Sequence, residues 1–265
     1  MGTPTFAMVS VPLTSVWQNS GMPTSDPLLP SSTVPGLIPT LNHTGWMTEG
    51  LDEISKSFVA YASSCGEECL DIGCAYGVAT LPVLAAGGRV LAADIEPKHL
   101  EILRERVPVE QRSRLRTQVA TMPDVKFPAA SFGAILCARA LHFLRGGDIG
   151  ITVLRMFEWL KPGGRICLVA DGPYTGPWYK HAAEYERRKA AGCPWPGYVE
   201  DYRSLLPASA NPADHPSFIN PLDPDILRRV VSAAGFEVLE ARWLAGAMPK
   251  SPANTHAGVV GEKRR

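Results

Sequence analysis

The fold is decided by two short stretches of the chain, residues 70–77, Leu-Asp-Ile-Gly-Cys-Ala-Tyr-Gly, and residues 90–95, Val-Leu-Ala-Ala-Asp-Ile. The first predicts a buried strand that turns through small residues into a helix beginning near Val78. The second predicts another buried strand, which ends in the carboxylate of Asp94. Glycine at 73 and 77 lets the backbone approach a ligand closely. Because open α/β sheets bind ligands at the carboxyl ends of their strands, and a carboxylate there can accept from both hydroxyls of a ribose, the two stretches predict a nucleoside-binding crevice.

Two familiar nucleotide-binding fingerprints are missing from the sequence. A dinucleotide site needs Gly-x-Gly-x-x-Gly, whereas this chain has Asp71-x-Gly73-x-Ala75-x-Gly77. The Gly-x-x-x-x-Gly-Lys-Ser/Thr phosphate loop is absent as well. An acidic loop suits a ligand that carries a ribose and positive charge better than one that carries phosphate.

The loop resembles the first motif of the class I S-adenosylmethionine-dependent methyltransferases, an acidic residue followed by Gly-x-Gly-x-Gly, with Ala75 in place of the middle glycine. Three later stretches resemble this family in the same order: residues 127–136, Leu141-His142, and residues 160–169 with their Lys-Pro-Gly-Gly turn. Gly133 stands where the family usually has Asp. The resemblance covers about residues 70–171, and the alternative is another doubly wound nucleotide-binding protein.

The resemblance and the alternation of apolar runs predict a doubly wound, mostly parallel, seven-stranded Rossmann-like sheet with an antiparallel last strand and a helical cap insertion. We expect residues 1–45 to be an irregular arm and residues 46–265 to be the methyltransferase domain, with the cap at 172–222. Predicted strands lie at 69–73, 89–94, 115–120, 132–138, 164–170, from 235 and at 255–262, and predicted helices at 51–61, 78–86, 97–106, 147–160 and from 224.

The charge balance and the apolar content of the sequence indicate which classes of binding partner to expect. The 265 residues include 26 Lys and Arg against 26 Asp and Glu, which argues against nucleic acid as a partner because such proteins usually carry a basic surplus. No apolar run is long enough to cross a bilayer, so we expect no membrane partner. Cys65 and Cys69 lie close in sequence without further ligands to complete a zinc site, and no acidic cluster compels a metal. We expect a cytoplasmic protein, and the oligomeric state stays open.

The resemblance implies S-adenosylmethionine as cofactor and S-adenosylhomocysteine as product. Asp94 is expected to accept from the ribose, the alternative being a helix N-cap. Arg139 would pair with the cofactor carboxylate, the alternative being a surface salt bridge. Thr121 replaces the acidic residue often found near the adenine, so recognition there would use backbone or Asp124. The full set of expected cofactor contacts is Asp71, Gly73, Cys74, Ala75, Gly77, Asp94, Ile95, Thr121, Met122, Ala138 and Arg139.

His142 is the candidate catalytic residue, because a hydroxyl or protonated nitrogen acceptor must lose a proton and imidazole suits that near neutral pH. Structural packing or cofactor contact is the alternative for this residue. Aromatic side chains are expected to face the substrate: Trp46, Tyr174, Trp178 and Tyr179. The alternative is that the cap aromatics only seal the cap onto the domain.

The sequence therefore predicts methyl transfer from S-adenosylmethionine to an oxygen, nitrogen or carbon of a small, partly apolar molecule, since apolar pockets with few polar groups suit such acceptors. One alternative is a protein methyltransferase, which would need an open groove instead of a closed cap. Another is a non-catalytic S-adenosylmethionine-binding regulatory protein, which the departures at Ala75, Thr121 and Gly133 keep open.

Overall fold

The structure is a computed structural model that describes residues 26–32, 36–206, 208, 210–245 and 254–265. The strands are β1 (Leu37–Pro39), β2 (Trp46–Thr48), β3 (Glu68–Ile72), β4 (Arg89–Asp94), β5 (Leu115–Val119), β6 (Phe132–Ala138), β7 (Leu160–Asp171), β8 (Glu237–Leu244) and β9 (His256–Glu262). The α-helices are α1 (Glu53–Ala62), α2 (Thr80–Ala85), α3 (Pro97–Arg106), α4 (Gly146–Trp159), α5 (Ala182–Ala190) and α6 (Pro224–Ala233). Short 3-10 segments lie at Val109–Arg114, Leu141–Phe143, Pro177–His181, Tyr202–Leu205 and Pro212–Asp214.

Seven of the described strands form one sheet, in the order β5-β4-β3-β6-β7-β9-β8. Strand β3 pairs in parallel with β4 on one side and with β6 on the other. Strand β9 runs antiparallel to both of its neighbours, β7 and β8. The predicted fold class, a mostly parallel doubly wound sheet with an antiparallel last strand, is confirmed.

Helices cover both faces of the sheet, which explains why the central strands are almost continuously apolar. Along β3, Leu70 packs in the cluster with Val153 of α4, whereas the neighbouring Cys69 packs on the opposite face with Phe58 of α1 and Val83 of α2. The strand order reverses between β3 and β6, and such a switch point opens a crevice at the carboxyl ends of the strands. The motif that follows β3 and the carboxylate that ends β4 therefore meet at one edge of the sheet.

Two segments differ from the sequence predictions. Within the arm expected to be irregular, β1 pairs antiparallel with β2, so residues 37–48 form a hairpin (residues 1–25 and 33–35 lie outside the described part). The hairpin was not predicted because it is held by tertiary contacts with the loop after β3, and no local sequence pattern reveals such contacts. The described part of the cap contains one α-helix, α5, and otherwise consists of 3-10 segments and loops, because its prolines interrupt regular helix.

The remaining predicted elements are present with bounds shifted by a few residues, and β7 and β8 extend further than expected. None of the described helices combines the length and the apolar character needed to cross a membrane.

Candidate active site

The loop after β3 is a tight backbone cradle. The N–H groups of Gly73 and Cys74 donate to the carbonyl of Ala93 at 2.8 and 3.2 Å, which ties the loop to β4. Gly77 has φ +82°, and a Cβ at this position would lie 2.3 Å from Cδ1 of Leu103. A Cβ on Gly73 would lie 2.9 Å from that of Ala140. Both positions require glycine, as the motif predicts.

Ala75 occupies the place of the family's middle glycine and has φ +44°, in the left-handed region that side chains disfavour. Its N–H donates to Oδ2 of Asp94 at 2.8 Å. This hydrogen bond holds the loop in a conformation that glycine would adopt without strain. The departure from the motif therefore changes the side chain but not the backbone path.

Asp71 is buried and accepts from the hydroxyl of Thr80, the first residue of α2, at 2.6 Å. Burial raises the pKa of this carboxyl to about 6. The contact joins the end of β3 to the start of α2. Cys74, also buried, places its Sγ 3.6 Å from the carbonyl oxygen of Ala75.

Asp94 lies at the end of β4 with only 4% of its surface exposed. Besides the N–H of Ala75, it accepts from the N–H of Glu96 at 2.9 Å and contacts Nδ1 of His99 at 3.0 Å. A carboxylate has about four lone-pair positions, so three protein donors leave one. The N-cap of α3 is Glu96, whose side chain accepts from Lys98 N–H; Asp94 is therefore not the cap of this helix.

His99 is a partner of Asp94 that the sequence analysis missed. It is completely buried near the start of α3, and its Nε2 lies 2.9 Å from the backbone N of Leu41 in the hairpin. The signal in the sequence was a histidine five positions after the strand-ending carboxylate, on the first turn of a predicted helix.

The hairpin contacts the cradle at further points. The hydroxyl of Tyr76 donates to the carbonyl of Pro39 at 2.9 Å, and its ring packs edge-on against His99 with centroids 4.8 Å apart. Arg106 donates to the carbonyl of Tyr76 and pairs with Asp26 at 2.8 Å. The hairpin is thus fastened to the loop that carries the motif.

Arg139 follows β6 with φ +56° and is mostly buried, so it does not form a surface salt bridge. One guanidinium nitrogen, Nη1, donates to the hydroxyl of Thr48 in the hairpin, and Nη2 lies 3.9 Å from the carboxylate of Asp52. Among the described residues, Nε and Nη2 are buried without a hydrogen-bond partner. Such donors are rare in folded proteins and usually have a function; here they are suited to an anionic group.

The adenine-side candidates lie on neighbouring strand ends. The N–H of Ala120 donates to the backbone carbonyl of Asp94 at 2.9 Å, which brings the segments after β4 and β5 together. Ile95 is 52% exposed there, a large fraction for an apolar side chain. Thr121 is exposed, and Met122 is partly buried against the core.

A second polar cluster lies beyond β6 and β7. Its centre is Asp171, the last residue of β7, with Nε2 of His256 at 3.3 Å and Nε2 of His142 at 3.8 Å. Burial alone would raise the pKa of Asp171, but the two imidazoles and Arg139 outweigh it and hold this pKa well below its usual range. No sequence motif points to Asp171 or His256, because they come from distant parts of the chain.

His142, the predicted catalytic residue, is almost fully buried, and burial lowers its pKa. Its Nδ1 accepts from the backbone N–H of Asp171 at 3.2 Å, so in the neutral ring the proton lies on Nε2, toward the Asp171 carboxylate. Its backbone carbonyl accepts from Asn220 of the cap. These contacts favour the alternative of structural packing, and a base role for His142 stays a prediction.

The four aromatic residues expected to face the substrate have different environments. Trp178 is buried, donates from Nε1 to the carbonyl of Gly172 at 2.9 Å and packs on Tyr202, so it seals the cap. Tyr174 donates to Glu186 and contacts the ring of Trp243 on β8. Tyr179 is 58% exposed, and Trp46, in the hairpin, is 45% exposed. Contact of any of the four with a substrate stays a prediction.

Comparison with known proteins agrees with this geometry. A family model described as a methyltransferase domain matches residues 69–164. A demethylmenaquinone methyltransferase of Tropheryma whipplei is 36% identical over 128 residues, which are 46% of this chain and 50% of the relative. The chain thus spans about half the length of the curated relatives that it matches first.

Two solved structures share the fold. An S-adenosylmethionine-dependent methyltransferase from Methanosarcina mazei has a TM-score of 0.60 at 17% identity, covering 81% of this chain and 98% of that one. A 1,6-didemethyltoxoflavin-N1-methyltransferase from Burkholderia thailandensis, with 1,6-didemethyltoxoflavin and S-adenosylhomocysteine bound, has a TM-score of 0.54 at 18% identity, covering 81% and 80%. Residues 69–164 of this chain therefore match the methyltransferase-domain family, and the chain shares the fold of solved S-adenosylmethionine-dependent methyltransferases.

Proposed function

We propose that this chain transfers the methyl group of S-adenosylmethionine to an oxygen, nitrogen or carbon atom of a small, partly apolar molecule and releases S-adenosylhomocysteine. The proposal rests on two guanidinium nitrogens of Arg139 that are buried without a hydrogen-bond partner among the described residues, together with the glycine cradle and the carboxylate that ends β4. This cofactor requires three things of its site: a cation that pairs with its carboxylate, a carboxylate that accepts from its ribose, and a backbone surface that it can approach closely.

The residues fit the cofactor in a definite arrangement. Nε and Nη2 of Arg139 would hold its carboxylate, and the remaining lone-pair position of Asp94 would accept one ribose hydroxyl, a second requiring displacement of the Ala75 N–H. Ile95, Thr121 and Met122 would flank the adenine, and Gly73, Ala75 and Ala138 would border the methionine portion. The bound cofactor supplies an electrophilic methyl group on its sulfonium.

Residues of this chain would also position the molecule that accepts the methyl group. Asp171 is ionised at neutral pH, because its interactions with His142, His256 and Arg139 lower its pKa, and so it can accept a hydrogen bond from an acceptor hydroxyl or N–H. His142 fixes the backbone at Asp171 through its Nδ1. Holding an acceptor in line with the methyl group accounts for much of the rate in a displacement of this kind.

A small acceptor is favoured by the way in which the cap closes over this end of the sheet. Cap residues Asn220 and Leu222 donate backbone hydrogen bonds to His142 and Asp171, and Trp178, Tyr202 and Ile219 form a buried cluster above them. The relatives named above act on demethylmenaquinone and 1,6-didemethyltoxoflavin, both small molecules. All six cysteines are free thiols, which supports a reducing, cytoplasmic location.

The test is release of S-adenosylhomocysteine from S-adenosylmethionine in the presence of quinols, phenols, N-heterocycles and a peptide library. We expect turnover with at least one small-molecule class, and a raised KM for the cofactor in Arg139→Met. Arg116→Met, at a 65% exposed arginine on β5, is the matched control and should behave as wild type. Cofactor binding without turnover of any acceptor would indicate a regulatory protein, and methylation confined to peptides would indicate a protein methyltransferase.

A further inference from the structure

Three groups form a hydrogen-bonded chain from the hairpin to the crevice. The N–H of Leu41 donates to Nε2 of His99 at 2.9 Å, and Nδ1 of the same ring lies 3.0 Å from Oδ1 of Asp94. His99 is 0% exposed, so water does not compete for either nitrogen.

The chemistry of the partners fixes the tautomer of His99. A backbone N–H is only a donor, so Nε2 must carry the lone pair. The ring proton is therefore on Nδ1, where it is donated to the carboxylate of Asp94. This donor orients Asp94, as the outer hydrogen bond of a metal-bound histidine orients that ligand. The Leu41 N–H, in the hairpin, selects the tautomer that makes this donation.

We propose that His99 is a positioning residue of the cofactor site, which holds Asp94 toward the ribose and couples cofactor binding to docking of the hairpin at residues 37–48. The inference rests on the proposed function, because it assumes that Asp94 meets the ribose. Linkage makes the coupling reciprocal: a docked hairpin tightens cofactor binding, and bound cofactor holds the hairpin down by the same factor.

Two near-isosteric variants separate the two hydrogen bonds of His99. In His99→Asn, the amide nitrogen takes the place of Nδ1 and retains the donor to Asp94, while the acceptor for Leu41 is lost. In His99→Gln, the amide oxygen takes the place of Nε2 and retains that acceptor, while the donor to Asp94 is lost. A merely structural role for His99 predicts equal effects on stability and none on coupling.

The experiment measures the Kd of S-adenosylhomocysteine by calorimetry and amide hydrogen exchange with and without it. In wild type, we expect the ligand to slow exchange in peptides that contain Leu41, with α6 as the unaffected reference. Both variants should lose this slowing and bind about five-fold or more weakly, His99→Gln more so than His99→Asn. If both variants bind with the wild-type Kd and show the same slowing of exchange as wild type, the proposal is overturned. If the wild-type protein itself does not bind, the proposed function is overturned.

A second, independent observation concerns the two cysteines that flank the turn into β3. Sγ of Cys65 lies 3.6 Å from Sγ of Cys69. Cys65 is partly exposed, while Cys69 is buried. The hydrogen bond from the Cys69 thiol lowers the pKa of Cys65, and the same contact together with burial raises the pKa of Cys69. The pair thus combines an accessible nucleophile with a neighbouring thiol.

We propose that Cys65 and Cys69 form a peroxide-reactive dithiol that closes to a disulfide. The Cys65 thiolate attacks one oxygen of hydrogen peroxide, the O–O bond breaks, and water leaves after protonation, which gives Cys65 sulfenic acid. The Cys69 sulfur then displaces the hydroxyl from the Cys65 sulfur, and a second water leaves with the thiol proton. Two thiols and one peroxide become one disulfide and two waters.

The test is mass analysis of the tryptic peptide 57–89 after the folded protein has been treated with hydrogen peroxide, unfolded and alkylated. We expect this peptide to lose two hydrogens while Cys74 remains alkylatable. Cys69→Ser should stop at sulfenic or sulfinic acid on Cys65, and Cys65→Ser should leave Cys69 reduced. The exposed Cys193 is the internal control for simple oxidation. Sulfinic acid at Cys65 with Cys69 still alkylatable in wild type, or no reaction at either cysteine, would overturn the proposal.

Discussion

Two carboxylates at strand ends, the buried Asp71 and the partly exposed Asp171, have pKa values that are shifted in opposite directions. Asp71, after β3, has only a hydroxyl for a partner, and burial raises its pKa to about 6. Asp171, after β7, is surrounded by His142, His256 and Arg139, and they overcome burial and lower its pKa. Burial alone favours the neutral acid, whereas hydrogen-bond donors and a nearby guanidinium favour the carboxylate. The cofactor side thus depends on backbone shape and the acceptor side on a charged cluster.

The two sides also differ in how their parts are distributed along the chain. The cofactor loop, β4 and α3 lie within residues 68–106, whereas the acceptor cluster draws on residues 142, 171, 220 and 256. Local spacing therefore encodes the first side, and tertiary packing assembles the second.

Replacing the tryptophan that seals the cap should have the largest effect on stability. Trp178→Ala removes a buried ring and its hydrogen bond to Gly172, and should lower the free energy of unfolding by about 3–5 kcal/mol in urea denaturation. Tyr179→Ala, at an exposed neighbouring ring, is the control and should change stability by less than about 0.5 kcal/mol. Equal stabilities of the two variants would mean that Trp178 does not seal the cap.

Adding a side chain at Gly77 should lower the stability of the protein through steric effects at the cofactor loop. Gly77→Ala combines left-handed strain of about 1–2 kcal/mol with a clash against Leu103 worth about 1–3 kcal/mol. Gly87→Ala also has positive φ but has no atom within 4 Å of the new Cβ, so it isolates the strain. Chemical denaturation of both variants should show Gly77→Ala to be the less stable, and equal losses would contradict the close approach of α3.

The two carboxylates should affect the pH dependence of stability with opposite signs. The folded-state pKa of Asp71, about 6, exceeds its unfolded value of about 4. The contribution of Asp71 to the free energy of unfolding is therefore present at low pH and is lost as pH rises through about 6. The loss is roughly 3 kcal/mol at most. Asp171 has a lowered pKa, so its contribution is present above about pH 4 and lost as pH falls further.

Denaturation at several pH values checks both signs. Asp71→Asn should remove the loss of stability between about pH 4 and 6. Asp171→Asn should instead remove the acid-side loss below about pH 4. The same pH profile in both variants would contradict the contrast between the two sides.

The smallest effect is expected at the departure from the motif. Ala75→Gly relieves about 1–2 kcal/mol of left-handed strain and costs about 0.5–1 kcal/mol in backbone entropy. The variant should therefore be as stable as wild type or slightly more stable in thermal unfolding. A clear loss of stability would mean that the methyl group of Ala75 makes a contact that outweighs its φ.

The sequence predicted the parts that local chemistry dictates. The strand and turn around Gly73 and Gly77 and the carboxylate that ends β4 all follow from short-range patterns, and their backbone geometry agrees. The hairpin at 37–48 was missed, since three-residue strands carry no periodicity and dock through single hydrogen bonds to His99, Tyr76 and Arg139.

The acceptor side was harder to predict for a physical reason. His142 was recognisable from its motif, but whether its ring nitrogens were available depended on the backbone of Asp171, a contact across 29 positions. His256 meets Asp171 only because β9 returns antiparallel beside β7. Cap aromatics such as Trp178 were identified as a group, but their orientation depends on packing that composition does not encode.

The central claim, that Asp94 and the surrounding cradle bind S-adenosylmethionine, is tested most directly by calorimetric titration with S-adenosylhomocysteine. We predict binding by wild type, weakened about ten-fold or more in Asp94→Ala and Asp94→Asn, because a hydrogen bond to a charged group is worth about 1.5–3 kcal/mol. Glu101→Ala, at an exposed carboxylate on α3, should bind as wild type, and thermal unfolding confirms that each variant is folded. No binding by folded wild type, or unchanged affinity in both Asp94 variants, would contradict the account.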